Sequence, residues 1–92
     1  MTREVSTRYV QSGQGKLKKV GDETAVYVET QKGLHVLNET ALLIYQAMAQ
    51  PARADQVVQL LVDLTGEEPA RVEGDVDRTV SLYLKYGLIE EA

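Results

Sequence analysis

Leu34-His35-Val36-Leu37-Asn38-Glu39-Thr40-Ala41 is the stretch on which the reading of this chain turns. An extended run ends at Leu37, and a helix is expected at once after Asn38. Asn38 suits the N-cap, because its side-chain oxygen accepts from amides that the first helical turn leaves unpaired. Leu37 before the cap and Leu42 at the fourth helical position have the spacing of a hydrophobic staple. Strand and turn signals lie before this hinge, and helix signals lie after it.

Working towards the N-terminus, residues 24–30 make the best strand, with Val26, Tyr27 and Val28 among β-branched threonines. Gln31-Lys32-Gly33 turns the chain back into the strand that ends at Leu37. Residues 16–20 are short and basic, with Leu17 and Val20 as apolar members, and Gly21-Asp22-Glu23 supplies the next turn. The expectation is a three-stranded antiparallel sheet. Residues 1–15 hold Val5, Tyr9 and Val10 among polar neighbours, then the turn-like Ser12-Gly13-Gln14-Gly15. They read as an N-terminal arm or an edge strand, ahead of a domain over residues 16–92.

Working towards the C-terminus, Ala41, Ile44, Tyr45 and Met48 fall on one helical face, and Pro51 stops that helix near Ala49 or Gln50. A second helix is predicted from Ala54 to Thr65, with Val57, Leu60, Leu61 and Leu64 inward and Gly66 as its stop. A third starts at Pro69, which suits a position whose amide needs no partner. Its inward face is Val72, Val76, Val80 and Tyr83. Gly87 ends it, and Leu88 and Ile89 fold back onto the core. The fold class is therefore α+β: a small winged-helix-like domain, with the sheet followed by three helices.

Composition removes several functions. A 92-residue chain makes one domain with a modest core. It has no cysteine, so neither a disulfide framework nor a thiolate metal site is available. No apolar run approaches the ~18 residues a membrane span needs, and no signal-peptide core is present. A cytoplasmic protein without a membrane partner is expected. With 10 basic and 14 acidic residues the net charge is −4, which gives no footprint for nucleic acid.

Catalytic groups are missing too. His35 is the single histidine and supplies one metal ligand at most. Glu67, Glu68, Glu73, Asp75 and Asp77 gather around the start of the third helix, where negative charge complements the helix dipole. Gly13-Gln14-Gly15 does not continue as a phosphate-binding loop. No enzyme, cofactor or metal is expected. What remains is an open sheet edge, whose unpaired N–H and C=O groups form a template for an added strand.

Leu37-Asn38-Glu39-Thr40-Ala41 followed by Ile44-Tyr45, and Asp75-Val76 followed by Val80, Tyr83 and Gly87-Leu88-Ile89, resemble the ordered motifs of the PqqD-like family. The resemblance covers roughly residues 16–90. It implies a RiPP recognition element: a small module that binds the leader segment of a ribosomally made precursor peptide. Such a module delivers the precursor to a modifying enzyme or leader peptidase. The leader adds to the third strand and lies against the third helix. Carried onto this chain, the resemblance places the peptide on Lys32, Gly33, Leu34, His35 and Val36. Asp75, Arg78, Thr79, Leu82 and Tyr86 flank the inward face of the third helix and form the groove wall. Arg78 and Lys85 are expected to pair with leader carboxylates.

The chain departs from the founding member's pattern. Pro-Glu is missing before the hinge, Gln50-Pro51-Ala52-Arg53 stands where Asp-Gly is usual, and Thr79 replaces a large apolar residue. These departures favour another peptide pathway, with the lasso peptides leading, over a peptide chaperone of pyrroloquinoline quinone biosynthesis. Two other readings stay open. One is a winged-helix DNA binder, although Arg71, Arg78 and Lys85 are the third helix's only cations. The other is an interaction domain that dimerises through its sheet edge. Monomer and dimer both fit the sequence.

Overall fold

Two small antiparallel sheets and three helices make up the computed structural model, which describes residues 7–92. The part of the expected arm on residues 1–6, Val5 included, lies outside the described residues. β1 (Arg8–Gln11) comes first, and then β2 (Gly15–Val20), β3 (Glu23–Val28) and β4 (Gly33–Leu37) form the expected sheet in the order β2-β3-β4. Its register runs from Gly15↔Val28 to Val20↔Glu23 on one side of β3 and from Thr24↔Leu37 to Val28↔Gly33 on the other. There follow α1 (Glu39–Ala47), β5 (Ala52–Arg53), α2 (Ala54–Thr65), α3 (Pro69–Lys85) and β6 (Ile89–Glu91).

The hinge folds for the reasons its sequence suggests. Asn38 is the N-cap of α1, and its Oδ1 accepts from the Ala41 amide at 2.8 Å. The Leu42 amide donates to the Asn38 carbonyl at 2.9 Å and continues the ladder. Leu37 is buried, so the alternation of a strand turns His35 inward with it and Leu34 and Val36 outward.

β1 occupies the middle of the second sheet, in the order β5-β1-β6. The sequence leaves this segment as an edge strand or an arm, because its partners are too short to carry a strand pattern. Its position follows from what it satisfies. The Gln11 amide donates to the Met48 carbonyl and its side chain to the Tyr45 carbonyl, both at 2.8 Å. The Ser12 amide donates to the Leu88 carbonyl at 2.9 Å. β1 thus ties the C-terminal end of α1 to the turn after α3, with Tyr9 buried beneath.

The core lies between β3 and the helices. Val26 and Val28 meet Ile44, Tyr45 and Met48 of α1, and the expected α3 stripe of Val72, Val76, Val80 and Tyr83 is buried. Tyr45 and Tyr83 pack edge-on, with ring centroids 5.8 Å apart. The α2 face differs from expectation. Val57 and Leu61 are buried, but Leu60 and Leu64 are exposed, and Val58 and Val62 pack against the core instead. Both stripes fit helical spacing; docking against α3 chooses between them. Gly87, at φ 72°, takes the left-handed conformation that closes α3. The Leu88 amide then donates back to the Tyr83 carbonyl at 2.9 Å, and Leu88 and Ile89 enter the core.

Candidate functional site

β4 hydrogen-bonds to β3 on one side only, so its other side is an open edge. Along it, the N–H and C=O groups that do not face β3 point outward. Lys32 is not part of the strand. It sits in the hairpin turn at φ 50°, and β4 begins at Gly33. Leu34 and Val36 are 49% and 56% exposed on the outer face. Leu34 lies opposite Tyr27, whose ring carries the Lys18 ammonium 5.0 Å from its centroid. The side chains of Leu34 and Val36 therefore face away from the helices.

His35 takes the other face and stacks on Tyr86, with ring centroids 4.2 Å apart and planes 22° apart. This contact joins the open strand to the C-terminal end of α3. Gln31 reinforces it from the hairpin, donating through Nε2 to the Tyr86 carbonyl at 3.2 Å. A second tie comes one turn earlier, where the Tyr83 hydroxyl donates to the Ala41 carbonyl at 2.7 Å. Burial pushes the Tyr83 hydroxyl well above the ordinary tyrosine range, with nearby Tyr45 adding to the shift.

Asp75, Thr79, Leu82 and Tyr86 are four, three and four residues apart, which puts them on one stripe of α3 beside its buried face. Leu82 is 47% exposed on that stripe. Arg78 forms an ion pair with Asp75 one turn away, so its guanidinium is already engaged within the helix. An exposed pair of this kind is worth about 0–1 kcal/mol, and either partner can be exchanged for another at small cost. The ten residues drawn from the sequence thus divide three ways. His35, Gly33 and Tyr86 come together, the α3 stripe runs away from that point, and Lys32, Leu34 and Val36 project elsewhere.

Two features escape sequence reasoning. Gln31 belongs to a turn whose composition says nothing about a distant helix end. At the Leu37 end of β4, Asp22, Glu23, Val36, Leu37, Glu39 and Leu42 are among the residues lining a hollow of about 510 Å³. It forms only where the β2–β3 turn meets the hinge, and no local pattern announces it. Among the described residues no three His, Cys, Asp or Glu side chains gather as a metal site, and no helix is long and apolar enough to cross a membrane.

The fold is a small α+β scaffold with one open edge strand beside a helix stripe, and a sequence family agrees with it. The pattern of coenzyme PQQ synthesis protein D (PqqD) matches residues 23–89, well over half of the chain, so the chain belongs to the PqqD family. No curated protein matches the chain. Two solved structures share its fold. TbiB1 in complex with the TbiA(β) leader peptide superposes with a TM-score of 0.74 at 15% identity, covering 88% of this chain and 94% of that one. The solution structure of the PqqD truncation of Methylobacterium extorquens PqqCD, described as a functional, stand-alone RiPP recognition element, gives 0.76 at 13% identity. That alignment covers 97% of this chain and 95% of that one. At these identities the likeness is one of fold.

Proposed function

We propose that this chain binds the leader segment of a ribosomally synthesised precursor peptide by strand addition to β4. It then delivers the precursor to a modifying enzyme or leader peptidase in the cytoplasm. The observation that carries the reading is the one-sided pairing of β4 beside the α3 stripe. The added strand takes its affinity from main-chain hydrogen bonds and its selectivity from alternate side chains that enter the groove. Gly33, Leu34, His35 and Val36 supply the edge; Asp75, Arg78, Thr79, Leu82 and Tyr86 supply the wall. Lys32 stands at the entrance. The chain's task is recognition, without catalysis and without a cofactor. The TbiB1 complex supports the reading by its shared fold, since that protein holds a leader peptide.

The pathway favoured is of lasso-peptide type, on the departures at Thr79 and at Gln50-Pro51-Ala52-Arg53. The family match favours a second reading, a peptide chaperone in pyrroloquinoline quinone biosynthesis. The test is fluorescence polarisation with a labelled leader from the precursor encoded beside this chain. Binding at tens of micromolar or tighter is expected without any enzyme present. N-methylation of alternate leader amides should abolish binding in one register and spare it in the other. No binding at that concentration, or equal tolerance of both registers, sinks strand addition.

A further inference from the structure

Among the described residues, His35 Nε2 is the buried side-chain polar atom left without a hydrogen-bond partner. A buried nitrogen in this state has given up water and received nothing in exchange. Its surroundings show how the loss arises. The Tyr86 ring covers the imidazole at 4.2 Å. The imidazole itself lies along β4 over Gly33, where a Cβ would sit 3.3 Å from Nε2. The imidazole thus takes up the place that a larger residue at position 33 would contest, and the Tyr86 ring is what covers its other side.

The open edge of β4 is where another strand arrives. Side chains of an added strand alternate between the two faces, and those on the His35 face lie about 4.5–5.5 Å from their neighbours across the pair. Tyr86 is half-buried at the edge of the core, where its ring can yield its place without its backbone moving. It is the C-cap residue of α3, held by its backbone: its amide donates to the Leu82 carbonyl at 2.9 Å and its carbonyl accepts from Gln31. Its ring can move without loss of either bond.

Resting on the leader-capture reading, we propose that His35 is the polar specificity determinant of the groove. When a peptide strand docks on β4, the Tyr86 ring shifts off the imidazole. One hydrogen-bonding, uncharged side chain of the peptide then pairs with Nε2. A hydroxyl or carboxamide meets the need because it both donates and accepts, and so pairs with Nε2 whether or not that nitrogen carries a hydrogen. A charged side chain is disfavoured, since a glycine and an aromatic ring offer it no compensating charge.

The experiment is selection of a display library of short random peptides against the wild-type chain and against His35→Phe, which keeps a flat ring on Tyr86 but removes the nitrogen. The expected wild-type pool is enriched in Ser, Thr, Asn or Gln at one position, and the variant pool is apolar there. The wild-type consensus peptide should bind the variant about tenfold more weakly. An isosteric change in the peptide, Thr→Val or Asn→Leu, should remove that difference. Because His35 is the single histidine, its imidazole 15N resonances give a direct readout on the unaltered chain. They should shift with the consensus peptide and stay in place with its isostere. Pools alike at every position, or 15N resonances indifferent to the isosteric change, overturn the proposal. Failure of the wild-type chain to enrich any peptide overturns leader capture itself, and this inference with it.

Discussion

The Tyr83 hydroxyl donates to the Ala41 carbonyl at 2.7 Å, joining α3 to the first turn of α1 across 42 residues of sequence. Ala41 lies three residues beyond the N-cap Asn38, so this bond fixes the helix wall relative to the hinge that ends β4. Replacing Tyr83 with Phe keeps the ring in the core and leaves one carbonyl without its donor. The expected cost is about 1 kcal/mol, read as a lower urea midpoint at unchanged slope. Leader affinity should fall with it if the wall and edge are held in register by this contact.

The same tyrosine makes stability fall at alkaline pH. Burial raises Tyr45, and burial together with Tyr45 raises Tyr83, above the ordinary value near 10. Above about pH 10 the unfolded chain therefore releases protons that the folded chain retains. The stabilising contribution is complete below the unfolded pKa and declines as pH rises towards the folded values. Urea midpoints should hold steady between about pH 8 and about pH 9, then drop by about pH 10.5. Tyr83→Phe should flatten that drop, and tyrosinate absorbance should show Tyr45 and Tyr83 ionising late.

Gly15 opens β2 where no side chain fits. A Cβ there would lie 2.6 Å from Leu88 Cδ2, 2.8 Å from Val26 Cγ2 and 3.1 Å from the Tyr45 hydroxyl. Those neighbours come from β3, α1 and the turn before β6, all packed in the core, and none is the loose end of a long chain. Gly15→Ala should destabilise the fold by about 1–3 kcal/mol, measured by denaturant midpoint. Gly13→Ala tests a different cause. Gly13 has open space but a φ of +84°, so its cost comes from backbone strain alone.

How much of this was legible beforehand depends on the range of the contact involved. Asn38, Pro69 and Gly87 act within a few residues of themselves, and their roles follow from the sequence. The buried face of α3 was legible because Val72, Val76, Val80 and Tyr83 leave one choice of inward face. On α2 the leucines at 60 and 64 compete with the valines at 58 and 62, and only the partner helix decides. β5 and β6 are two and three residues long, too short for any pattern, which hid the central place of β1. At the site, alternation from buried Leu37 correctly separates His35 from Leu34 and Val36. The His35–Tyr86 stack spans 51 positions and depends on how α3 leans, which no spacing rule encodes.

Leu82 tests whether the α3 stripe is a contact surface. It is 47% exposed and lies four residues before Tyr86, off the buried face. An ordinary exposed leucine can become Asp with little effect on anything, and surface changes of this kind usually stay within about 0.5 kcal/mol of stability. If the leader's side chains enter the groove beside it, Leu82→Asp places a carboxylate against apolar atoms that have left water. The expected result is a melting temperature within a few degrees of wild type and leader affinity reduced about tenfold or more by fluorescence polarisation. Leu60→Asp is the matched control. It is exposed to a similar degree on α2, away from β4, and should leave leader affinity unchanged. Equal losses from the two substitutions would mean that added negative charge weakens binding in general, and the stripe would lose its claim as the groove wall.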